Sequence, residues 1–337
     1  MKIQKIYYTG PGVAELLPKE IEAPGKGEVQ VKLCVSTISS GTERANLLGD
    51  ANVRSDRPAE EVVWPRTGGY SSAGVITAVG EGVEEFAVGD RVSLSWSKHA
   101  SFINMPVKGV HKLPDEVSFE AAALLHIATF PLAAMRKCRL ELGESAIVMG
   151  MGVLGLLALP LLKAAGAAPI ITVDPIPEKR EKALASGADY ALDPLAPDFA
   201  ETVKKLTGGG AKVGIEVTGV GAGLNGILDC MARYGRVALL GCTRNSDFTL
   251  DYYRKVHGPG ITLVGAHTDA RPKQESHGGW FTEKDDVEAM IRLHQLGRLD
   301  FETFVDETHS PVEAGEVYTR LATERAFPVV QFDWRKL

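Results

Sequence analysis

A glycine-rich motif that follows a short apolar run constrains the fold of this chain more than any other feature. Residues 146–149 are apolar and lead directly into residues 150–155, which form a complete G-x-G-x-x-G motif. The first glycine permits a tight turn out of a strand, the second lets a phosphate approach the backbone, and the third lets the next helix pack against the sheet. We therefore predict a strand, a turn and a helix over residues 153–165, with the helix N-terminus facing the phosphates of a dinucleotide.

A second apolar run, residues 169–173, ends in Asp174, which lies 19 residues after Gly155. A carboxylate at the end of the second strand can accept hydrogen bonds from the hydroxyls of an adenosine ribose, and it repels a 2'-phosphate. No arginine directly follows Asp174, so the sequence favours NAD(H) over NADP(H), although Lys179 and Arg180 leave NADP(H) open. In an alternative interpretation, Asp174 only caps the N-terminus of the next helix.

The rest of the chain divides into two kinds of pattern. Residues 1–122 show short alternating strands with glycine and proline turns, which indicates a compact β-barrel-like domain. Helical segments follow at residues 118–125 and 129–137, and six apolar strands then alternate with helices. We predict the α/β fold class, with a Rossmann doubly wound parallel sheet over residues 123–298. The tail, residues 299–337, is predicted to rejoin the first domain, with the active site in the cleft between the domains.

Composition restricts the partners and the compartment. The 337 residues suffice for two cores, and the net charge of −6 argues against nucleic acid or anionic membrane as a partner. No apolar run reaches the roughly 18 residues of a membrane span, and no signal-peptide core precedes the first strand. We therefore expect a cytoplasmic protein with a small-molecule substrate. The four cysteines show no C-x-x-C pairing, which argues against a disulfide framework.

Several short motifs together resemble the medium-chain dehydrogenase/reductase superfamily, and the resemblance covers nearly the whole chain. The resemblance implies a GroES-like catalytic domain, a domain that binds NAD or NADP, and assembly as a homodimer or homotetramer. The motifs that carry it are Gly80-Glu81-Gly82-Val83, Gly89-Asp90-Arg91-Val92, the glycine turn at 150–155, Lys163-Ala164-Ala165-Gly166-Ala167 and Ala185-Ser186-Gly187-Ala188-Asp189.

The positions at which this family's alcohol dehydrogenases hold a catalytic zinc ion are altered here. Serine (Ser40) stands at the cysteine of C-G-[ST]-D, tyrosine (Tyr70) at the histidine of G-H-E, and His126 near the third ligand. Hydroxyl and phenol groups are poor ligands for Zn²⁺, which favours thiolate, imidazole and carboxylate. We predict no catalytic zinc. The S-G-T-E and G-Y-S forms resemble a metal-less branch of the family that includes bacteriochlorophyllide a dehydrogenase, without implying the pigment as substrate.

Without a metal, protein groups must handle the proton and stabilise the reacting oxygen. Our hypothesis assigns the acid/base role to His126, because an unperturbed imidazole titrates near pH 6.5. Tyr70, Ser40 and Thr42 would supply hydrogen bonds. The alternatives are that His126 is a core histidine on an apolar helix face, and that Tyr70 only packs.

Five further side chains are candidates for contact with the substrate. Glu43 follows the S-G-T segment, and His99 follows Trp96. A loop after the sixth strand is rich in polar residues, and in this fold such loops border the ligand. Its histidine, arginine and tryptophan side chains suit a polyhydroxylated or anionic substrate, or they cover a solvated surface or a subunit contact. The candidates are Glu43, His99, His267, Arg271 and Trp280.

The sequence thus predicts a zinc-independent, NAD-dependent oxidoreductase that interconverts a secondary alcohol, such as one in a sugar or polyol, and a ketone. One alternative is an NADPH-dependent enone or quinone reductase, and another is a non-catalytic dinucleotide-binding protein. The residues predicted to bind the cofactor are Gly150, Gly152, Val153, Leu154, Gly155, Asp174, Lys179, Thr218, Gly241, Cys242 and Ala266.

Overall fold

The computed structural model describes residues 1–50, 53 and 61–337. The chain forms two compact units: unit 1 comprises residues 1–127 and 287–337, and unit 2 comprises residues 128–286. These limits differ by several residues from the domain limits of 122/123 and 298/299 suggested by the sequence. Both observed divisions fall inside helices, where no glycine or proline turn marks a boundary.

The first part of unit 1 is rich in strands, as its alternating pattern predicts. One finding corrects the sequence interpretation: the two helical segments predicted at residues 118–125 and 129–137 are one continuous helix, because the joining residues 126–128 are also helical and fully buried. The elements are β1 (Lys2–Gly10), β2 (Val13–Glu20), β3 (Glu28–Thr37), α1 (Ser40–Leu48), β4 (Ser71–Val79), β5 (Arg91–Ser95), β6 (Phe102–Pro106), β7 (Val110–Lys112) and α2 (Phe119–Lys137).

Unit 2, all of whose residues are described, contains the predicted parallel sheet, with strand order β10-β9-β8-β11-β12-β13. This order, renumbered from β8, is the 3-2-1-4-5-6 order of a doubly wound dinucleotide-binding sheet. The prediction of a Rossmann fold is confirmed. The elements are β8 (Ala146–Met149), α3 (Val153–Ala164), β9 (Ile170–Val173), α4 (Pro177–Ala185), β10 (Tyr190–Leu192), α5 (Phe199–Leu206), β11 (Ala211–Glu216), α6 (Gly221–Asp229), β12 (Met231–Leu239) and β13 (Thr262–Gly265).

The C-terminal part returns to the strands of unit 1. It contains α7 (Glu283–Gln295), β14 (Glu307–His309), α8 (Ala314–Thr323) and β15 (Val330–Asp333). Strand β15 pairs antiparallel with β3, and β14 pairs parallel with β15. In the described part of unit 1, the larger sheet has the order β14-β15-β3-β4-β5-β7, with β6 paired to β3, and β1 and β2 form a hairpin.

Each unit has its own apolar core. In unit 1, Tyr8, Tyr318, Phe332 and Trp334 join the aliphatic side chains of β3 to β5. In unit 2, the core lies between the sheet and the helices α5 and α6. Among the described residues, no helix is both long and apolar enough to span a bilayer.

Candidate active site

The glycine turn of unit 2 has the geometry that its sequence predicts. Gly150 has φ 103°, which favours glycine, and it leads from β8 toward Gly152, the N-cap of α3. A Cβ on Gly155 would lie 2.0 Å from the Gly150 carbonyl oxygen, whereas a Cβ on Gly152 would meet no atom within 4 Å. Helix and strand therefore need a glycine at their contact, and the space above Gly152 is open to a ligand. The residues present fit a bound pyrophosphate.

Asp174 connects the second strand to this turn. Its carboxylate accepts hydrogen bonds from the backbone N–H of Met151 at 2.9 Å and of Ile176 at 3.0 Å, and Lys179 Nζ lies 3.8 Å away. Helix α4 begins at Pro177, and its N-cap is Ile176. Asp174 thus lies beside the glycine turn, where the ribose of a dinucleotide is expected.

The other predicted cofactor contacts lie where β11, β12 and β13 end. A Cβ on Gly219 would lie 2.6 Å from the Cys242 carbonyl oxygen, and one on Gly241 would lie 2.3 Å from the Gly219 nitrogen, so these two loops approach closely. Glu216 secures the first loop by accepting the backbone N–H of Thr218 at 2.8 Å, and burial raises the pKa of Glu216. Ala266 follows β13 and is buried, and Cys242 is exposed.

In unit 1, the structure brings Tyr70 and His126 together. Their ring centroids are 5.6 Å apart, with the rings perpendicular, and His126 is fully buried in α2. Trp96 completes this aromatic cluster, with its centroid 4.7 Å from His126 and 5.9 Å from Tyr70. The cluster of Tyr70, Trp96 and His126 therefore places a phenol, an indole and an imidazole around one point.

Trp96 was not predicted as a site residue. It has φ 64°, a left-handed conformation that costs energy in a bulky residue, and its side chain is 48% exposed. Its backbone N–H donates to the Tyr70 carbonyl oxygen at 2.7 Å. Strained backbone often occurs at functional sites, but no sequence pattern reveals the φ of a tryptophan.

The hydroxyl that the structure places against Tyr70 belongs to Ser39, whereas the sequence indicated Ser40 and Thr42. The Tyr70 hydroxyl donates a hydrogen bond to Ser39 Oγ. Ser40 and Thr42 begin α1 and are partly exposed. The serine doublet at 39–40 was visible in the sequence, but nothing in it shows which serine faces Tyr70.

Glu43 and His99 lie inside unit 1, with internal partners, in a placement that favours a structural role. Glu43 is 1% exposed, and its Oε2 accepts from the hydroxyls of Tyr8 at 2.8 Å and Tyr318 at 2.5 Å. His99 Nε2 lies 3.1 Å from the same oxygen, and its Nδ1 lies 2.7 Å from Ser36 Oγ. Burial alone would raise the pKa of Glu43, but His99 and the hydrogen bonds hold it below its usual value.

The predicted substrate loop of unit 2 is partly engaged internally. The Arg271 side chain is 4% exposed and lies 3.7 Å from Asp286, so it is held within the unit. Trp280 has its ring 4.7 Å from Lys137 Nζ. His267 is 37% exposed and lies 3.6 Å from Asp269. His267 and Trp280 are therefore partly exposed, whereas Arg271 is buried.

The side chains that the resemblance assigns to the zinc-ligand positions are poor ligands for this ion. Ser40, Tyr70 and His126 offer one hydroxyl, one phenol and one imidazole, and include neither thiolate nor carboxylate. Among the residues described here, no group of three His, Cys, Asp or Glu side chains is placed to hold a metal ion. The donor set therefore does not fit the ion.

Comparisons with known proteins agree with the fold. The family model "Alcohol dehydrogenase GroES-like domain" matches residues 25–115, and "Zinc-binding dehydrogenase" matches residues 153–276. The (R,R)-butanediol dehydrogenase of Bacillus subtilis (strain 168) is 32% identical over 58% of this chain and 64% of its own length, less than two thirds of that protein. The D-guloside 3-dehydrogenase of Escherichia coli (strain K12) is 26% identical over 94% of this chain and 95% of its own length. The crystal structure of benzyl alcohol dehydrogenase from Acinetobacter calcoaceticus, 20% identical, has a TM-score of 0.84 over 99% of both chains.

Proposed function

Because this chain belongs to the medium-chain dehydrogenase/reductase superfamily and is an oxidoreductase of the alcohol dehydrogenase type, we propose that it interconverts a secondary alcohol and a ketone with NAD(H) and without a catalytic zinc ion. The observation that carries this proposal is the contact between the Tyr70 and His126 rings, at positions where the family's zinc enzymes have metal ligands. A phenol and an imidazole can donate hydrogen bonds and move a proton, which are the tasks left when no metal polarises the oxygen.

In the proposed complex, the glycine turn and the N-terminus of α3 hold the pyrophosphate, and Asp174 accepts hydrogen bonds from the adenosine ribose. Lys179, 3.8 Å from Asp174, would contact the same ribose. When bound, NAD(H) would supply the hydride acceptor for oxidation of the alcohol and the hydride donor for reduction of the ketone. The residues beside the nicotinamide half of the cofactor would be Thr218, Gly241, Cys242 and Ala266.

The proton of the substrate hydroxyl would pass to the His126 imidazole as the hydride leaves the carbon that bears this hydroxyl, which yields the ketone and balances the reaction. Tyr70 would donate a hydrogen bond to the reacting oxygen, where negative charge develops. Burial of His126 excludes water from this step and strengthens the interaction with the developing charge.

The substrate class that we propose is a sugar or polyol. The relatives named above include dehydrogenases of a butanediol and of a guloside, and sorbitol dehydrogenase of Bacillus subtilis (strain 168) is 29% identical over 54% of this chain. The half-exposed indole of Trp96 offers an apolar surface for the C–H face of a polyol, next to the polar groups of Tyr70 and His126.

The proposal is tested with a panel of sugars, polyols and their keto forms, monitored by NADH absorbance with metal-free protein. We expect His126→Asn to lower kcat by about 10²- to 10⁴-fold, because a general acid/base contributes about that much, while the Kd for NADH stays unchanged. His257→Asn, at an exposed position, is the matched control and should keep full activity. Near-normal turnover in His126→Asn would exclude the acid/base role.

The same protein distinguishes the alternatives. Tighter binding of NADPH than NADH, with activity only on enones or quinones, would replace the proposal with a reductase function. Binding of NADH without turnover of any alcohol or ketone would point to a non-catalytic dinucleotide-binding protein. We expect NADH to bind more tightly, because the Asp174 carboxylate repels a 2'-phosphate.

A further inference from the structure

Ser39 stands at the N-cap of α1, but its side chain does not make the hydrogen bond that an N-cap serine typically makes. A serine cap typically contributes about 0.5–2 kcal/mol by accepting a backbone N–H. Here Ser39 Oγ instead accepts the hydrogen bond from the Tyr70 hydroxyl. The serine is therefore directed toward Tyr70 and away from the helix.

The backbone of Ser39 is held by Glu43. The N–H of Ser39 donates to Glu43 Oε1 at 2.8 Å, and the Ser39 carbonyl accepts the Glu43 N–H at 2.9 Å. The second carboxylate oxygen of Glu43 is fixed by the hydroxyls of Tyr8 and Tyr318 and by His99. Because Ser39 and Glu43 are 3% and 1% exposed, water does not compete for these bonds. Ser39 thus has one defined position.

The side chains that surround Glu43 also fix the backbone that leads to Tyr70. Gly68 and Gly69 precede Tyr70 and pack against the hydrogen-bonded side chains around Glu43. A Cβ on Gly68 would lie 1.9 Å from the Tyr8 hydroxyl oxygen and 2.8 Å from Glu43 Oε2, and a Cβ on Gly69 would lie 2.8 Å from a ring carbon of His99. Tyr70 is therefore held on its backbone side and at its hydroxyl.

We propose that Ser39 is a positioning residue, held by Glu43, that keeps the Tyr70 hydroxyl oriented toward the reacting oxygen of the substrate. A serine hydroxyl has one donor and two acceptor sites, so the bond between the two hydroxyls can reverse without movement of heavy atoms. When the substrate arrives, Ser39 donates to Tyr70, and Tyr70 donates to the substrate oxygen. No proton is transferred between Ser39 and Tyr70, and the proton of the alcohol still passes to His126.

This inference rests on the proposed role of Tyr70, and variants of the full-length protein separate the two. Ser39→Ala should lower kcat about tenfold, as expected for the loss of one hydrogen bond in the transition state, with little change in KM or in the Kd for NADH. Ser39→Thr, which keeps a hydroxyl, should restore most of kcat. Ser72→Ala is the matched control, because it removes another buried hydroxyl pair, Ser72 with Ser97, and should leave kcat unchanged.

A double-mutant cycle with Tyr70→Phe decides between the possible causes. If Ser39 acts through Tyr70, Ser39→Ala lowers kcat far less in the Tyr70→Phe background than in the wild type. An undiminished tenfold loss in that background, or normal kcat in Ser39→Ala while Tyr70→Phe is impaired, overturns the inference alone. Normal kcat in Tyr70→Phe overturns the proposed role of Tyr70 as well.

Discussion

Two buried carboxylates, one in each unit, behave in opposite ways. Glu43 in unit 1 is 1% exposed and Asp286 in unit 2 is 0% exposed, so both lose nearly all their hydration. The pKa of Glu43 nevertheless lies below its usual value, whereas burial raises the pKa of Asp286 to about 6. With similar burial, the Glu43 carboxylate stays charged at neutral pH, whereas the Asp286 carboxyl has a pKa of about 6.

The partners explain the difference. Glu43 accepts hydrogen bonds from two tyrosine hydroxyls and a backbone N–H and contacts His99, at 2.5 to 3.1 Å. Asp286 has Arg136 at 2.5 Å, but Arg271 lies 3.7 Å away, and the Asp286 Oδ2 atom has no hydrogen-bond donor among the described residues. The charge of His99 together with several short hydrogen bonds thus outweighs the burial of Glu43, whereas the two nearby arginines do not outweigh the burial of Asp286.

We expect the largest loss of stability from a substitution that breaks the hydrogen bonds around Glu43. In Glu43→Gln the negative charge is lost, and the amide N–H₂ either faces the Ser39 N–H, donor against donor, or requires both tyrosine hydroxyls to turn and accept. We expect the free energy of unfolding to fall by about 3–5 kcal/mol, as for a broken buried charge network. Urea denaturation at pH 7 measures it, with Glu288→Gln, a half-exposed carboxylate on α7, as the control. A loss below about 1 kcal/mol would contradict the comparison.

Replacing the Asp286 carboxylate by an amide should raise the free energy of unfolding instead of lowering it. The folded-state pKa of about 6 exceeds the ordinary 3.8, so wild-type protein takes up a proton on folding between these values and loses stability as the pH rises through this window. Asp286→Asn mimics the protonated form and should therefore be more stable than wild type at pH 8, by up to about 3 kcal/mol.

At pH 4, where wild-type Asp286 is protonated in the folded protein, the two proteins should have nearly equal unfolding free energies. Denaturant titrations at both pH values test this. A large loss of stability in Asp286→Asn at pH 8 would show that the arginines stabilise the charged carboxylate more than burial opposes it.

A surface carboxylate sharpens the comparison with a smaller effect. Arg320 holds Glu307 through two hydrogen bonds, at 2.7 and 3.0 Å, and these lower the pKa of Glu307 to about 2. The stabilisation is present above about pH 4.5 and is lost as the pH falls toward 2. Since both side chains are about one third exposed, we expect Glu307→Gln to cost only about 1 kcal/mol at pH 7. An equal cost at pH 2 and pH 7 would contradict this cause.

Unit 2 could be predicted from sequence because its signals are local. The glycine motif, the apolar runs and the carboxylate at Asp174 each specify a strand, a turn or a strand end within a few residues, and the parallel sheet follows from their order. The helix α3 (Val153–Ala164) lies within one residue of the range 153–165 that the sequence predicts.

The site in unit 1 was less predictable, because its contacts join distant parts of the chain. The sequence indicated Tyr70 and His126 by resemblance, and the structure brings their rings together. Ser39 was missed, since its contact with Tyr70 depends on the pairing of β3 with β4. The burial of Glu43 was also hidden, because one of its hydroxyl partners, Tyr318, lies 275 residues away.

Turnover of the best polyol substrate, measured against the zinc content of the purified enzyme, tests most directly whether phenol and imidazole replace a metal ion. We predict that kcat is the same before and after removal of metal by a chelator, and that added Zn²⁺ does not raise it. Loss of NADH formation on chelation, with recovery in proportion to zinc restored at Tyr70 and His126, would contradict the proposed mechanism.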